Sequence, residues 1–514
     1  MITQTHTAPN MNGQTFKVLL FLFALNSLAL YFYFSSHREH HHLPSVLLSS
    51  SEYSPPRLPL AVKPWPILPS YLPWSHNLNT PFRSCEAYFG NGFTQRVDPL
   101  KPITDPRRKI SSSGGWFRCF YSETLRSSIC EGGRIRMVQD RILMSRGGEK
   151  LESVIGRGED EELPYFEDGA FQIEVSDRSR IGEKLVDEEF LDKYLPEGAI
   201  RRHSMRGLID SIRLVDATEF TCSEWIEEPT LLVIRFEYAN LFHTFTDWYS
   251  AYVASRVTGL PNRPRLVFVD GHCETRLEET WTALFSSLAF AKNLSGSTCF
   301  RHAILAPLGY ETSLFKGLSE NINCQGASAH DLWQKTDDRK TARLSEFGEM
   351  TRAAFGLSLD RQNIHKSVLD HNILFVRRED YRAHPRHGGK VQTRISNERE
   401  VYDSVKLWAL NHAKCKLNII NGLFAHMNMK EQVRAIQDAS VIIGAHGAGL
   451  AHIISATSRT VILEIISSEY RHPHFPLIAQ WKGLEYHAIN LDGSYADPRV
   501  VIDELSSILT SLGC

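Results

Sequence analysis

The sequence predicts an α/β protein whose C-terminal half is a doubly wound parallel sheet, set behind an apolar N-terminal span and a proline-rich stretch. Three observations predict it. From residue 371 onward, short β-branched runs alternate with helix-period segments, the rhythm of βαβ units. One such run, Ser440-Val-Ile-Ile443, ends in Gly444-Ala-His-Gly-Ala-Gly449, and small and apolar residues then read on as a helix. Near the N-terminus, residues 18–34 are 17 in a row without a charge, and proline recurs through the next fifty positions.

Length and charge bound the rest. A chain of 514 residues has room for two ordinary domains plus extra segments. Its net charge of −2 creates no global field that would recruit nucleic acid. With 42% hydrophobic and 23% charged residues, it has the composition of a globular protein with substantial cores.

In chain order, residues 1–17 are a short tail and 18–34 a membrane span at the lower length limit. Bulky Tyr31-Phe-Tyr-Phe34 follows instead of a small-residue cleavage site, so the span reads as an uncleaved signal anchor. The expectation is a single-pass type II protein with its body in a lumen. So short a span suits a thin Golgi membrane. Residues 35–84, with Pro55, Pro56, Pro59, Pro64, Pro66, Pro69, Pro73 and Pro81, read as an extended stem. Within it, the Trp65 and Trp74 segments can instead pack on the body. Nine cysteines without a C-x-x-C pair fit an oxidising compartment and give zinc no support. Asn293-Leu-Ser295 is the N-glycosylation sequon.

Residues 85–335 form the N-terminal α/β domain. Trp116-Phe-Arg-Cys-Phe-Tyr121 is dense in aromatics, the mark of core more often than of a sugar platform. Glu159-Asp-Glu-Glu162 reads as a solvated run, and weak patterning over 149–202 predicts irregular structure. A buried strand is expected at 229–236 and a helix at 237–252. On that helix His243 and Asp247 stand one turn apart, as a general base and its orienting carboxylate would. A plain helix-surface hydrogen bond has the same spacing. Asp270, at the carboxyl end of a strand over 266–270, is the weaker alternative base, and a helix is expected over 278–292.

A linker over 336–370 carries a polar helix at about 338–355, and residues 371–514 form the C-terminal domain. There strands are expected at 373–377, 417–421, 440–443, 460–464 and 486–491, with helices at 397–412, 429–439 and 499–512. A strand, a glycine-rich turn and a helix start bring free N–H groups and a positive dipole end to one point, which is a phosphate site. Arg377 and Arg378 close the first strand and can aim cations into the same crevice. Glu464 closes another strand and can accept bonds from ribose hydroxyls. The glycine spacing is G-x-x-G-x-G rather than G-x-G-x-x-G, and no Gly-Lys-Ser/Thr follows, which disfavours dinucleotide and Walker-type readings.

Four stretches in this order carry a resemblance. They are Lys63-Pro-Trp-Pro-Ile-Leu-Pro-Ser-Tyr-Leu-Pro-Trp74, Asn240-Leu-Phe-His-Thr-Phe-Thr-Asp-Trp-Tyr249, Phe375-Val-Arg-Arg-Glu-Asp-Tyr381 and Ile443-Gly-Ala-His-Gly-Ala-Gly449. With the anchor and stem ahead of them, they closely resemble the plant N-glycan branch of glycosyltransferase family 61. The likeness runs from about Lys63 to Cys514. It implies a Golgi type II membrane protein of GT-B-like fold, two Rossmann-like domains facing a cleft. It also implies inverting transfer of xylose from UDP-α-D-xylose to the 2-hydroxyl of the core β-mannose of an N-glycan. In that scheme Gly447, Ala448 and Gly449 bind the diphosphate with His446 at its edge. Arg377 and Arg378 stabilise the leaving group, Glu464 holds the ribose, and Asp247 or His243 takes the acceptor proton. No cofactor or metal is demanded, and other Golgi glycosyltransferases are possible partners. The rival readings are a family-61 transferase for N-acetylglucosamine or arabinose, a non-catalytic Golgi glycan-binding protein, and an NAD-dependent lumenal oxidoreductase.

Overall fold

The computed structural model of the protein describes residues 62–68, 93–101, 114–316, 344–359 and 370–514, apart from 124, 199, 201–204, 313 and 413. The tail, the span at 18–34, most of the stem, Cys85 and Cys324 lie outside the described residues. Among the described residues no helix is long and apolar enough to cross a membrane. Leu60–Cys514 forms one compact unit.

The body begins earlier than the proline content suggests. Lys63 Nζ donates to the carbonyls of Thr282 (2.7 Å) and Phe285 (2.9 Å), and Trp65 Nε1 donates to Leu260 O at 3.0 Å. Pro64 pairs with Asn262, and Leu68 is buried. Residues 62–68 are therefore a strap on the globular surface rather than free stem. Prolines cost this strap little, because its anchors are side-chain donors and carbonyls that proline retains.

The N-terminal half has two sheets. In the first, Thr230–Val233, Arg265–Phe268, Ser287–Phe290 and Ala303–Leu305 run parallel, extended on the Ala303–Leu305 side by antiparallel Ser127–Gly133, Trp116–Ser122 and Gln95–Leu100. The strand Ser287–Phe290 replaces the second half of the helix expected over 278–292. That helix stops at Leu284, and Phe285 is already extended (φ −114°, ψ 168°). The second sheet, ordered Ile212–Val215, Phe171–Glu174, Ile135–Val138, Ser297–Phe300, Glu224–Ile226, draws one strand from the region 149–202, which is otherwise mostly short helices, turns and loops. Its strands have only three to four residues, too short for alternation to show locally, and they pair over long sequence separations. Cys222–Cys299 and Cys119–Cys130 are disulfides, and Cys273 is a buried free thiol.

The acidic run also departs from expectation. It forms the short helix Glu159–Glu162, and Glu162 is fully buried, accepting from His272 Nδ1 at 3.0 Å and Arg386 Nη1 at 2.7 Å. Leu344–Ala354 is a helix as expected, but it is core rather than a polar linker. Phe347 packs against Tyr249 and Tyr252, and the buried Glu346 is bonded by Tyr252 O–H and Arg256.

The C-terminal sheet is parallel throughout: Asp370–Arg377, Lys416–Leu423, Val441–Ala445, Val461–Ile466 and Glu485–Asn490. In space the second strand lies outside the first, and the third, fourth and fifth follow on the other side. Helices Glu398–Leu410 and Pro498–Ser511 cover one face with a core of Val401, Val405, Leu505 and Ile508. The other face, with Leu374, Ile442 and Ile462, shares a core with Phe245, Trp248 and Phe347 of the preceding half. One apolar core thus joins the two halves. Cys415–Cys514 ties the sheet's strand-start end to the chain's last residue.

Candidate functional site

A 2-1-3-4-5 strand order reverses direction between the first and third strands, and ligands in such sheets bind at the carboxyl ends of the strands there. Arg378 directly follows the first strand, and His446-Gly447 directly follows the third. The two meet. A Cβ on Gly447 would collide with the Arg378 guanidinium. Gly447 is extended (φ 165°), so closeness to Arg378, rather than its own backbone angle, requires the bare Cα. A 3-10 helix, Ala448–Ser455, starts here in place of an α-helix. Its first bond runs from Leu450 N–H to Gly447 O, so the N–H groups of Ala448 and Gly449 precede the bonded turn. Both residues are half-buried at the crevice.

Arg377 and Arg378 part company, because adjacent strand residues project to opposite sides. Arg377 turns onto the Glu398–Leu410 helix, where it pairs with Glu398 at 3.5 Å and lies 5.0 Å from the Tyr402 ring centre. That removes it from the glycine turn and corrects its expected place beside the phosphate. Arg378 instead feels the charge of Arg394, and burial followed by that repulsion lowers its pKa. Arg394 lies 3.2 Å from the Tyr470 ring centre. Among the described residues its Nε and Nη1 are buried without a hydrogen-bond partner. A buried guanidinium short of acceptors that also repels a second one is a costly arrangement that a bound anion would relieve. Arg394 was missed from sequence. It sits in the loop between the first strand and its helix, and loops at strand carboxyl ends belong to the same crevice.

Glu464 lies on the sheet face that looks toward the N-terminal half, together with Ile462. Its side chain is fully buried and both oxygens are occupied. His446 Nδ1 is 2.6 Å from Oε1, and Tyr486 O–H donates to Oε2 at 2.6 Å. Burial and the adjacent Glu464 charge push the Tyr486 hydroxyl's pKa up, so it stays a donor. Fully buried and bonded at both oxygens, Glu464 is turned onto His446, whose ring it fixes, rather than open to a ribose. Around that ring stand Phe475 (5.0 Å between centres), His472 (5.6 Å) and His474 (5.8 Å). Burial first, then the neighbouring imidazoles, lower the His474 pKa to about 4. His472 and His474 also escaped sequence analysis, although Arg471-His-Pro-His474 is another carboxyl-end loop.

From the other half, His243 enters this neighbourhood at the start of the Leu241–Val257 helix. Phe242 packs on His474 at 5.1 Å, and His243 contributes to the His474 shift. The His243 ring is stacked 5.1 Å from Tyr310, its Nδ1 is buried without a partner among the described residues, and burial lowers its pKa to about 4. Asp247 does not orient it. That carboxylate is 3% exposed and accepts from Gly309 N–H at 2.9 Å, beneath a turn packed so tightly that a Cβ on Gly309 would strike the helix. The expected His–Asp dyad is not formed: the Asp247 Oδ1 is engaged by Gly309 N–H, and the His243 Nδ1 is without a partner among the described residues. Burial raises the Asp247 pKa to about 8. Asp270 is fully buried and 2.7 Å from Arg235. Burial would raise its pKa, but Arg235 holds it below the ordinary range. Asn293 is exposed at the end of a 3-10 turn, with its Oδ1 accepting from Arg146 at 2.7 Å.

Among the described residues, one group of three has donor atoms close enough for a metal: His371, Cys415 and Cys514. It lies where the first two strands begin, at the opposite end of the sheet from the crevice, and its two sulfurs are joined in the disulfide.

Residues 241–463 match the family described as Glycosyltransferase 61. The chain is 58% identical over 541 aligned residues to Beta-1,2-xylosyltransferase of Arabidopsis thaliana, covering 98% of this chain and 99% of that protein. It is 63% identical over 458 residues to Beta-1,2-xylosyltransferase RCN11 of Oryza sativa subsp. japonica, covering 89% of this chain and 84% of the other. A more distant similarity, 23% over 279 residues, links 52% of the chain to 45% of an EGF domain-specific O-linked N-acetylglucosamine transferase of Gallus gallus.

Proposed function

The chain belongs to glycosyltransferase family 61, and from that premise we propose that it transfers xylose in β-1,2 linkage to N-linked glycans, using UDP-xylose. The high identity over nearly the whole chain supports the reaction. One structural observation carries the donor site: Arg378 lies against the bare Gly447 at the sheet's switch point and feels the charge of Arg394, whose buried Nε and Nη1 have no hydrogen-bond partner among the described residues.

The diphosphate lies between these two guanidiniums and the leading N–H groups of the 3-10 helix. Charge-assisted bonds from fixed donors match the negative charge that grows on the departing UDP. That places leaving-group stabilisation on the protein's own cations and requires no metal step. The acceptor glycan approaches from the side of the Leu241–Val257 helix, where His243 and Tyr310 form a wall, and the arrangement is GT-B-like in this sense. The apolar segment at 18–34 anchors the protein in the Golgi membrane with the body lumenal, where the disulfides and a glycan on Asn293 are at home.

Mass-resolved assay of the purified protein with UDP-xylose and a GlcNAc-terminated N-glycan is expected to show gain of one pentose. Gain of N-acetylhexosamine from UDP-GlcNAc, with no pentose gain, would replace this reading with that of the more distant relative.

A further inference from the structure

We propose that His446 is the group that takes the proton from the acceptor hydroxyl, with Glu464 and Tyr486 as its positioning residues. The proposal rests on the donor site described above and adds the identity of the base.

Hydrogen-bond bookkeeping leads to it. A carboxylate has only acceptor positions, and the two Glu464 oxygens receive Tyr486 O–H and His446 Nδ1. Nδ1 is therefore the protonated nitrogen, and the lone pair of His446 is on Nε2. In an imidazole, Nε2 points away from the partner of Nδ1. Among the described residues no hydrogen bond engages it, and the ring keeps 7% of its surface open. His446 directly precedes Gly447, so Nε2 is at the rim of the diphosphate cradle, where the anomeric carbon of the donor must lie.

The alternatives fail on chemistry. Asp247 is 3% exposed with Oδ1 bonded to Gly309 N–H, and Asp270 is fully buried and paired with Arg235. His243 and His474 are neutral rings held in apolar surroundings, with no carboxylate to favour the charged form. His446 alone among the clustered histidines has a buried carboxylate on Nδ1, which fixes ring angle and tautomer and stabilises the imidazolium formed on proton transfer. The other groups facing it are His472, His474 and Phe475 of the following loop and helix, and the Arg378 guanidinium beside Gly447.

The step balances. The acceptor oxygen bonds to the anomeric carbon as the bond from that carbon to the β-phosphate oxygen breaks. The bonding pair leaves with UDP toward Arg378 and Arg394. The hydroxyl proton passes to Nε2 and is later lost to water.

The test separates base from anion ligand. His446→Gln is expected to lower kcat by about 10²- to 10⁴-fold, the usual worth of general-base catalysis, while calorimetry finds UDP affinity within about threefold of the unaltered protein. Added imidazole should restore turnover to His446→Ala. Glu464→Gln should lower kcat, because the ring of His446 loses its fixed partner, and leave UDP affinity in place. Turnover of His446→Gln within about threefold of the unaltered enzyme, or a loss confined to UDP affinity, overturns the proposal. If the His446 variants do not fold, an unchanged kcat in Glu464→Gln overturns it. Failure of the unaltered protein to bind UDP would instead strike the donor site itself.

Discussion

Arg235 and Arg378 are both substantially buried arginines just beyond the carboxyl ends of parallel strands, and their surroundings are opposite. Arg235 is enclosed: Asp270 at 2.7 Å, Glu278 at 2.6 Å and the Phe268 ring centre at 3.8 Å. Burial works against its charge, but the two carboxylates raise its pKa above the ordinary arginine value. Arg378 faces another cation, and its pKa falls. Its one nearby carboxylate, Glu398, accepts its backbone N–H, and its side-chain Nε has only the Gln392 carbonyl at 3.3 Å. A closed cluster satisfies itself and holds the fold. An open cluster is a deficit that a ligand completes. The second observation, rather than the presence of charge, is the ground on which the C-terminal crevice is proposed as the donor site.

The largest effect expected from this contrast is on stability. Arg235→Ala leaves Asp270 and Glu278 buried without their cation and should cost about 3–5 kcal/mol in urea unfolding, with UDP affinity kept by the folded fraction. Arg394→Ala and Arg378→Ala should do the converse. Each is expected to weaken UDP binding in calorimetry about 10- to 100-fold, or about 1.4–2.8 kcal/mol, with unfolding free energy unchanged or slightly higher because a like-charge repulsion is relieved. A drop in stability without loss of UDP affinity in either variant would erase the distinction.

Titration sharpens the same contrast. Burial holds His243 and His474 near pKa 4 and His452 near 3, against about 6.5 when unfolded. The unfolded chain thus binds more protons, so their contribution is intact above pH 6.5 and drains away as pH falls toward 4. Urea midpoints measured from pH 7 down to pH 4.5 should fall. Asp247 has the opposite sign. Its folded value of about 8 exceeds the unfolded value of 3.8, so stability is lost as pH rises through 8. Asp247→Asn should therefore flatten the alkaline fall and retain xylosyl transfer, whereas abolished transfer with intact UDP binding would restore Asp247 as the base. The smallest effect belongs to Arg377→Ala: its guanidinium lies against Tyr402, and UDP affinity should stay within about twofold.

Much of the C-terminal sheet was legible because buried parallel strands are long apolar runs punctuated by glycine, and the strand and glycine-rich turn at 440–449 stand where the sequence predicts them. What sequence could not supply was partner identity across distance. The spacing of His243 and Asp247 allows a hydrogen bond, but Gly309 N–H, 62 residues on, captured the carboxylate. Glu464 does not close its strand, which runs on to Ile466, and its oxygens bond His446 and Tyr486. Strand alternation tells that Arg377 and Arg378 diverge, but only packing tells which one meets Gly447. Arg394, His472 and His474 lie in loops without periodicity, and the second N-terminal sheet is assembled from strands too short to announce themselves.

Crystallography of the complex with UDP tests the central claim most directly. The account predicts diphosphate density between the Arg378 and Arg394 guanidiniums, against the N–H groups of Ala448 and Gly449. Density beside Arg235 and Asp270, or at the strand-start end near His371, would contradict it.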